Sequence, residues 1–414
     1  MRRCCSVESE IGRIPMTVYG VLASALKPNE RLWGFSYVLL LLSFCKDMSY
    51  RKSCACLNAS LHRPPDGEIR HRTVADFVEN FGSRITEELK MVADRLLEQF
   101  RFNPETILPK EEADLPAAIT SPTMPPDRAA VLAPQIQQIN NDREGDAQIK
   151  HPGLADKIEP SSGKCCYISV DDIGVKHQND HRGGNRSKDG KYVENTVIHV
   201  QADGSSYCIT AIGMERAFSI LLAFLLKNGL MEDRLLVFFT DGARNIKNYI
   251  ESVFAFRQFT IVLDWYHLKK KCKELISSSI KGSKEEKHEV MRHLLRMLWV
   301  GNADEAGAYL QSLDPAKIKS AHWRDELVNY IERKSPDIAC YALRNALGLR
   351  VSSNRVEKAN DLIVGQRQKH NGMSWSFDGS GALAAVNMIL LNGEEEKWLR
   401  SGCLSFSMPQ NKVA

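Results

Sequence analysis

The chain has 414 residues and a mass of 46.6 kDa, more than one hydrophobic core normally supports, so two or three domains are expected. Apolar and aromatic residues make up 43% of it, a share typical of globular proteins and not of disordered ones. The formal net charge of +4 and the isoelectric point near 8.4 permit an acidic partner such as nucleic acid without requiring one.

Cysteine spacing argues against zinc ribbons and fingers, and hydropathy argues against a membrane span or a signal peptide near the start. The sequence has eleven cysteines, but no two have the C-x₂-C spacing of zinc ribbons and fingers, so we expect free, reduced thiols in a cytosolic protein. The longest apolar run near the start, residues 32–45, is too short to span a bilayer and carries no signal-peptide cleavage pattern. It predicts a buried helix.

The first hundred residues are predicted to be helical after an unpatterned start. Residues 1–30 show no clear periodicity, and Met1–Ser6 suggests a late or truncated start. From Pro28 to Cys45 the pattern predicts an apolar helix with Asn29 as its cap, and residues 48–62 predict a second helix.

Two further helices complete this region. Residues 72–82 predict a short helix capped by Thr73 and stopped by Gly82, and residues 83–101 predict a longer amphipathic one. Helices separated by short turns are typical of a helix-turn-helix DNA reader, here at about 48–82, although a plain helical bundle gives the same pattern. A local basic surplus favours DNA. Its members are Arg51, Lys52, Arg63, Arg70 and Arg72, against Asp66 and Glu68.

Residues 103–164 differ in composition from the rest of the chain. Nine of the sixteen prolines fall there, and apolar residues recur at no helical or strand period. We therefore predict a linker between an N-terminal region, 1–102, and a second domain, 165–395, with one short helix around Arg128–Asn141.

The second domain opens with three predicted strands, 165–177, 192–201 and 206–213, after a polar loop at 179–191. Asp203-Gly204 between two apolar runs is a strong hairpin signal. A helix, a strand, a helix and a strand follow. Their predicted bounds are Glu215–Lys227, Arg234–Thr240, Ala243–Phe256 and Phe259–Asp264. This order predicts an α/β fold with a mixed five-stranded sheet, which is the ribonuclease H-like order.

The chain from residue 268 to about 350 is predicted to be entirely helical, with Pro315 and Pro336 at helix boundaries. A further helix then starts at Ser353 or Asn354 and is predicted to present four side chains on one face. These are Glu357, Asp361, Val364 and Gln368. Residues 396–414 form a charged C-terminal tail.

Three acidic residues stand where hydrophobic runs end or where the next helix begins: Asp171, Asp241 and Glu357. A buried strand that ends in a carboxylate exposes it at the sheet edge, because burying an unpaired ion costs too much. Carboxylates about 4 Å apart repel by roughly 4 kcal/mol at an effective dielectric near 20. Such a cluster favours a divalent metal. Taken singly, the three have simpler interpretations: a turn residue in Thr-Asp-Gly, a loop cap and a solvated helix carboxylate.

Taken together, these motifs resemble DDE transposases of bacterial insertion sequences, of the ISKra and ISLre kinds. The resemblance covers about residues 165–395 and lies in FTDGARNIK at the second aspartate, LDWYHL after it, and NRVEKAND with GMSW around the glutamate. It implies that Asp171, Asp241 and Glu357 are catalytic residues that bind two Mg²⁺ (or Mn²⁺) ions. It also implies that residues 268–350 are a helical insertion in the catalytic domain.

The activity implied is DNA strand cleavage followed by strand transfer. Expected partners are double-stranded transposon ends and target DNA, bound by a homo-oligomer in the bacterial nucleoid. Asp264 and His267 are expected to support the site from behind or to contact DNA. Further DNA contacts are expected from basic residues near the site. They are Lys269, Lys270, Lys271, Lys273, Arg367 and Lys369, beside the N-terminal Arg51, Lys52, Arg70 and Arg72.

Two alternatives stay open on sequence grounds. One is an inactive or decayed transposase that only binds DNA, and the other is a ribonuclease H-like nuclease without strand transfer. The sharpest expectation concerns the neighbours Asp171 and Asp172. Since successive side chains of a strand face opposite ways, only one can face Asp241 and Glu357, and we expect it to be Asp171.

Overall fold

The computed structural model describes residues 2–9, 12–19, 32–120, 128–151, 154, 157–159, 165–178, 192–370 and 373–409. The predicted cap Asn29 and the predicted polar loop at 179–191 lie outside these residues. Within the described ranges, no helix combines the length and apolar character needed to cross a membrane. The cysteines whose side chains are described are all free, as predicted.

Eight strands occur in the described chain. They are β1 Arg2–Ser9, β2 Gly12–Tyr19, β3 Leu32–Trp33, β4 Cys165–Lys176, β5 Tyr192–Ala202, β6 Ser205–Ile212, β7 Leu235–Thr240 and β8 Phe259–Leu263. The first three form a small sheet in the order β2-β1-β3. Residues 1–30 show no strand pattern that predicts this sheet.

The helices are more numerous. They are α1 Phe35–Asp47, α2 Tyr50–Ser60, α3 His71–Gln99, α4 Ala117–Thr120, α5 Arg128–Asn141, α6 Met214–Lys227, α7 Arg244–Val253, α8 Trp265–Ser279, α9 Lys284–Trp299, α10 Ala303–Gln311, α11 Ala321–Lys334, α12 Tyr341–Ala346, α13 Asn354–Asn360, α14 Phe377–Asn392 and α15 Glu395–Ser401. A π-helical segment, Asp361–Lys369, continues α13.

A mixed five-stranded sheet in the order β6-β5-β4-β7-β8 lies at the centre of the fold. The β4–β5 and β5–β6 pairs are antiparallel, and the β4–β7 and β7–β8 pairs are parallel. The predicted five-stranded mixed sheet is therefore confirmed. Asp203 and Gly204 join β5 to β6 with positive φ values of 49° and 79°, the combination that a tight type I′ hairpin turn requires.

Both faces of the sheet are covered, because β7 is buried along its whole length and its side chains alternate between two cores. Leu236 and Phe238 enter a core with α6, α7 and the N-terminal helices. Leu235, Val237 and Phe239 enter a second core with the helices α8 to α11. The sheet thus fixes its strand ends between two helical layers.

Helix α3 corrects the predicted break at Gly82. It runs unbroken for 29 residues, starts at His71 without a side-chain cap from Thr73, and packs on α14 and α6. A Cβ added to Gly82 would lie 2.0 Å from the backbone oxygen of Ala382 on α14. Gly82 is therefore needed for its small size at a helix crossing and does not end a helix. The predicted short helix 72–82 is wrong, and α3 belongs to the core of the sheet domain.

The predicted linker is also built into the fold. Its short helix is confirmed as α5, but Ile107, Ile119 and Ile158 around it are buried. The carboxylate of Glu159 forms a two-pronged ion pair with the Arg344 guanidinium, at 2.5 and 2.7 Å, and both side chains are 0–1% exposed. The described parts of this segment therefore pack on the hydrophobic cores and do not run free between two domains.

The region from α8 to α12 is helical, as predicted. Pro315 and Pro336 lie in short 3₁₀ turns between helices. The predicted common face after Glu357 is wrong, because the π-helical segment changes the angle per residue. Glu357 is exposed, whereas Val364 and Gln368 are fully buried. The C-terminal segment also packs on the core, through Trp398, Leu404 and Phe406.

Candidate active site

The strand register brings three aspartates to one level of the sheet. The last β4–β7 pair is Ser169 with Phe239, and the last β7–β8 pair is Thr240 with Leu263. Continued by two residues and by one residue, this register sets Asp171 beside Asp241 and Asp241 beside Asp264. Adjacent strands are about 4.8 Å apart, so these carboxylates start from neighbouring backbone positions.

Asp171 faces the helix of Glu357. Its Oδ2 accepts a hydrogen bond of 2.6 Å from Nδ2 of Asn360, three residues after Glu357, and its Oδ1 accepts one from the Asp172 amide. Burial and then the nearby Asp241 charge raise the pKa of Asp171 to about 6, and the two hydrogen bonds oppose this only in part. Burial and the Asp241 charge therefore outweigh the hydrogen bonds and the nearby His267 at Asp171.

Asp172 has different partners, as its neighbouring place on the strand predicts. Its Oδ1 accepts from Oγ1 of Thr196 on β5 at 2.6 Å, and its Oδ2 lies 3.5 Å from Nδ2 of Asn245 on α7. Neither partner touches Asp171. These hydrogen bonds agree with Asp171 facing the Glu357 helix, while the Asp241 charge also acts on Asp172. The assignment of Asp171, and not Asp172, as a ligand stays a prediction.

Asp241 begins a tight turn after β7. Its Oδ1 accepts from the Ala243 amide at 2.7 Å, which is the local turn bond that Asp-Gly sequences favour. The turn interpretation is thus correct for one carboxylate oxygen. The Lys334 ammonium, from the helical insertion, donates to the next carbonyl, Gly242, at 2.6 Å.

His267 lies between Glu357 and Asp264. The Glu357 side chain is 42% exposed, and its Oε1 lies 3.8 Å from Nδ1 of His267. The same ring nitrogen lies 3.1 Å from Oδ1 of Asp264. A carboxylate can only accept, so Nδ1 carries the proton. The hydrogen bond to Asp264 raises the pKa of His267, burial opposes this, and the charges of Asp241 and Glu357 add to the increase.

Asp264 links the start of α8 to the start of α13 through hydrogen bonds. It is fully buried, caps α8 through the His267 amide at 2.8 Å, and accepts from both the amide and the hydroxyl of Ser353, the residue before α13. Burial alone would raise the pKa of Asp264, but the hydrogen bonds from His267 and Ser353 outweigh burial and lower it. Asp264 thereby fixes the helix that carries Glu357. The expected supporting position of Asp264 and His267 agrees with these contacts.

The chemistry of the donors suits a hard divalent cation, which prefers oxygen ligands. His267 interacts through its charge with the carboxylates of Asp171, Asp241 and Glu357. Oδ1 of Asn360, whose amide group bonds Asp171, is buried without a hydrogen-bond partner. Among the described side chains, however, no group of three or more His, Cys, Asp or Glu residues is arranged to hold a metal as it stands. Asp171, Asp241 and Glu357 therefore do not form a preassembled metal site in this structure.

The predicted DNA-contact residues divide into exposed and buried ones. Most are exposed, and Lys271 is half-buried near Glu274. The exposed ones are Arg51, Lys52, Arg70, Arg72, Lys269, Lys270, Lys273 and Lys369. Arg367 is 1% exposed, with its guanidinium 5.0 Å from the Tyr50 ring and 4.9 Å from the Trp375 ring. The prediction of a DNA contact by Arg367 is wrong, because this cation stacks inside the core.

Two residues at the site were missed from the sequence. Asn360 had a usable signal, since residues three apart share one side of a helix. Lys334 had none, because it lies far along the chain from Asp241 and in a different helical layer.

Comparison with protein-family models, with curated proteins and with solved structures gives no match to this chain.

Proposed function

We propose that this protein is a DDE transposase that binds transposon ends, cuts DNA and joins the cut end to target DNA. The observation that carries the proposal is that Asp171 and Asp241 lie side by side in the register of the neighbouring parallel strands β4 and β7. The helix that carries Glu357 packs against β4 and β5. The sheet order with its two antiparallel and two parallel pairs is the order of a ribonuclease H-like core. This supports the same family.

Asp171, Asp241 and Glu357 would hold two Mg²⁺ or Mn²⁺ ions. Bound there, the ions would supply Lewis-acid activation of the attacking water or 3′-hydroxyl and stabilise the leaving oxygen. The raised pKa of Asp171, caused by burial and then by Asp241, fits a site that gains a cation on loading.

The surrounding residues of the chain hold this set in place. Asn360 orients the Asp171 carboxylate through its amide. Asp264 fixes both His267 and the start of the Glu357 helix, so His267 keeps its proton near the Glu357 carboxylate. These residues act through the carboxylates and are positioning residues.

Basic surfaces provide the expected DNA contacts. Lysines on α8 lie next to the site, and exposed arginines and a lysine flank α2 and the start of α3. Phosphate contacts need such charges without special geometry, so DNA affinity should fall as salt rises. The protein would act as a homo-oligomer that holds two ends in the bacterial nucleoid.

A combined cutting and joining assay tests the proposal. Duplexes from the DNA that flanks the gene are incubated with the full chain, a target plasmid and Mg²⁺, with Glu357→Gln as the control variant. A transposase gives cut ends and recombinants with the wild type, and neither with the variant. Cut ends without recombinants would identify a nuclease, and DNA binding without cutting would identify an inactive relative. Either result would overturn the proposal.

A further inference from the structure

Lys334 connects the helical insertion to the candidate site. It is the last residue of α11, and its ammonium donates to the Gly242 carbonyl immediately after Asp241. Within the described part of the chain, no carboxylate lies within 4.0 Å of this ammonium, although Asp337 is close in sequence. Lys334 thus directs its hydrogen bond to a backbone turn and not to an ion-pair partner.

The turn from Thr240 to Ala243 depends on a few hydrogen bonds. The Gly242 amide donates to Oγ1 of Thr240 at 3.3 Å, and the Ala243 amide donates to Oδ1 of Asp241. Gly242 has φ +87°, and an added Cβ would lie 2.7 Å from the Leu263 side chain, so this backbone conformation requires glycine. The Gly242 carbonyl is held from outside, by Lys334.

The side chain of a second lysine crosses the same boundary without a hydrogen bond to this turn. Lys247 of α7 donates to both carboxylate oxygens of Asp337, at 2.9 and 2.8 Å. It links the insertion to the sheet domain as an ordinary half-buried ion pair. Loss of the Lys247 side chain removes this ion pair, and that side chain takes part in none of the hydrogen bonds to Thr240, Asp241 or the Gly242 carbonyl. This makes Lys247 a matched control.

We propose that Lys334 is a positioning residue of the catalytic centre, through which the helical insertion fixes the Asp241 turn and the direction of the Asp241 carboxylate. The insertion then has a specific role: its packing against the sheet determines the shape of the site. A shift of α11 would release the Gly242 carbonyl and turn Asp241. The inference rests on the proposed function in naming Asp241 as a ligand, but the hydrogen bond itself does not.

Hydrogen exchange of the full-length protein, followed by mass spectrometry, tests the hydrogen-bonding role. In Lys334→Met the amides of Gly242 and Ala243 should exchange about tenfold faster, because the turn that holds their hydrogen bonds loses a hydrogen bond from a charged group. Lys334→Arg keeps a charged donor and should restore protection, and Lys247→Met should leave these amides unchanged. If Lys334→Met does not fold, Lys334→Ala, which also removes the donor to the Gly242 carbonyl, provides the same comparison. Unchanged exchange, or an equal effect of Lys247→Met, would overturn the inference.

Kinetics then test the link to catalysis. In Mg²⁺-dependent cutting, Lys334→Met should lower kcat by about 10- to 100-fold, as expected for a misplaced catalytic group, with KM for DNA unchanged. Faster exchange with an unchanged kcat would refute a role in the catalytic centre. Faster exchange in a protein whose wild type cuts no DNA would leave the turn-holding role intact and overturn the proposed function instead.

Discussion

Replacing Glu159 by glutamine should be strongly destabilising. The Glu159–Arg344 pair is bidentate and 0–1% exposed, and Arg344 also lies 5.4 Å from the Phe239 ring in the second core. Glutamine keeps the shape but leaves a buried guanidinium without its counter-charge. Breaking a buried pair in this way costs about 3–5 kcal/mol in free energy of unfolding. The expected loss is of that size.

Urea unfolding followed by circular dichroism measures this loss. The control is Glu305→Gln, which removes the exposed pair with Lys150 (2.8 Å, side chains 32% and 42% exposed) and should cost at most about 1 kcal/mol. Adding Arg344→Met to Glu159→Gln should recover stability, because no unpaired charge is then buried. A Glu159→Gln loss no larger than that of the control would refute the claim that this segment is built into the fold.

Three further predictions concern packing, pH and the support of the site. Gly82→Ala should cost about 1–3 kcal/mol in urea unfolding, because the new methyl group meets the α14 backbone, whereas Gly307→Ala, with only an ordinary contact 3.9 Å away, should be neutral or stabilising by up to about 1 kcal/mol. Burial, then Arg350 and Arg355, lower the pKa of His199 to about 4. The unfolded chain therefore binds more protons than the folded one between pH 6.5 and 4. The free energy of unfolding should fall by about 3 kcal/mol as the pH falls through this window. In unfolding titrations of His199→Gln this loss should disappear. Asp264→Asn should lower the pKa of His267 seen by NMR and cost about 2 kcal/mol, since charged hydrogen bonds to His267 and Ser353 are lost; an unchanged His267 pKa would contradict the network.

The sheet and its order could be predicted because their signals are local. Each strand is a continuous or alternating apolar run, and the Asp203-Gly204 turn fixes one pairing directly. Asp171 could be separated from Asp172 for the same reason, since side-chain alternation is a property of the strand itself.

The errors came from residues whose role depends on distant partners. Gly82 has the sequence signature of a helix stop, but its small size is needed where α3 crosses α14. Arg367 carries a charge that predicts exposure, yet the rings of Tyr50 and Trp375 enclose it. In both cases a tertiary contact outweighs the local propensity.

The site shows the same division. Asp171 lies within β4, Asp241 directly follows β7 and Glu357 is in the first turn of α13, and local patterns reveal these elements. Asn360 and Lys334 become visible only when β4 meets the helix after Ser353 and when α11 meets the turn after β7.

Mg²⁺-dependent cutting by the matched variants Asp171→Asn and Asp172→Asn tests the central claim most directly. Both remove one carboxylate charge from neighbouring positions of β4, but only Asp171 faces Asn360 and the Glu357 helix. We predict that Asp171→Asn abolishes cutting of end-containing duplex while Asp172→Asn retains measurable activity, with DNA binding largely unchanged in both. Cutting by Asp171→Asn together with an inactive Asp172→Asn would contradict the account.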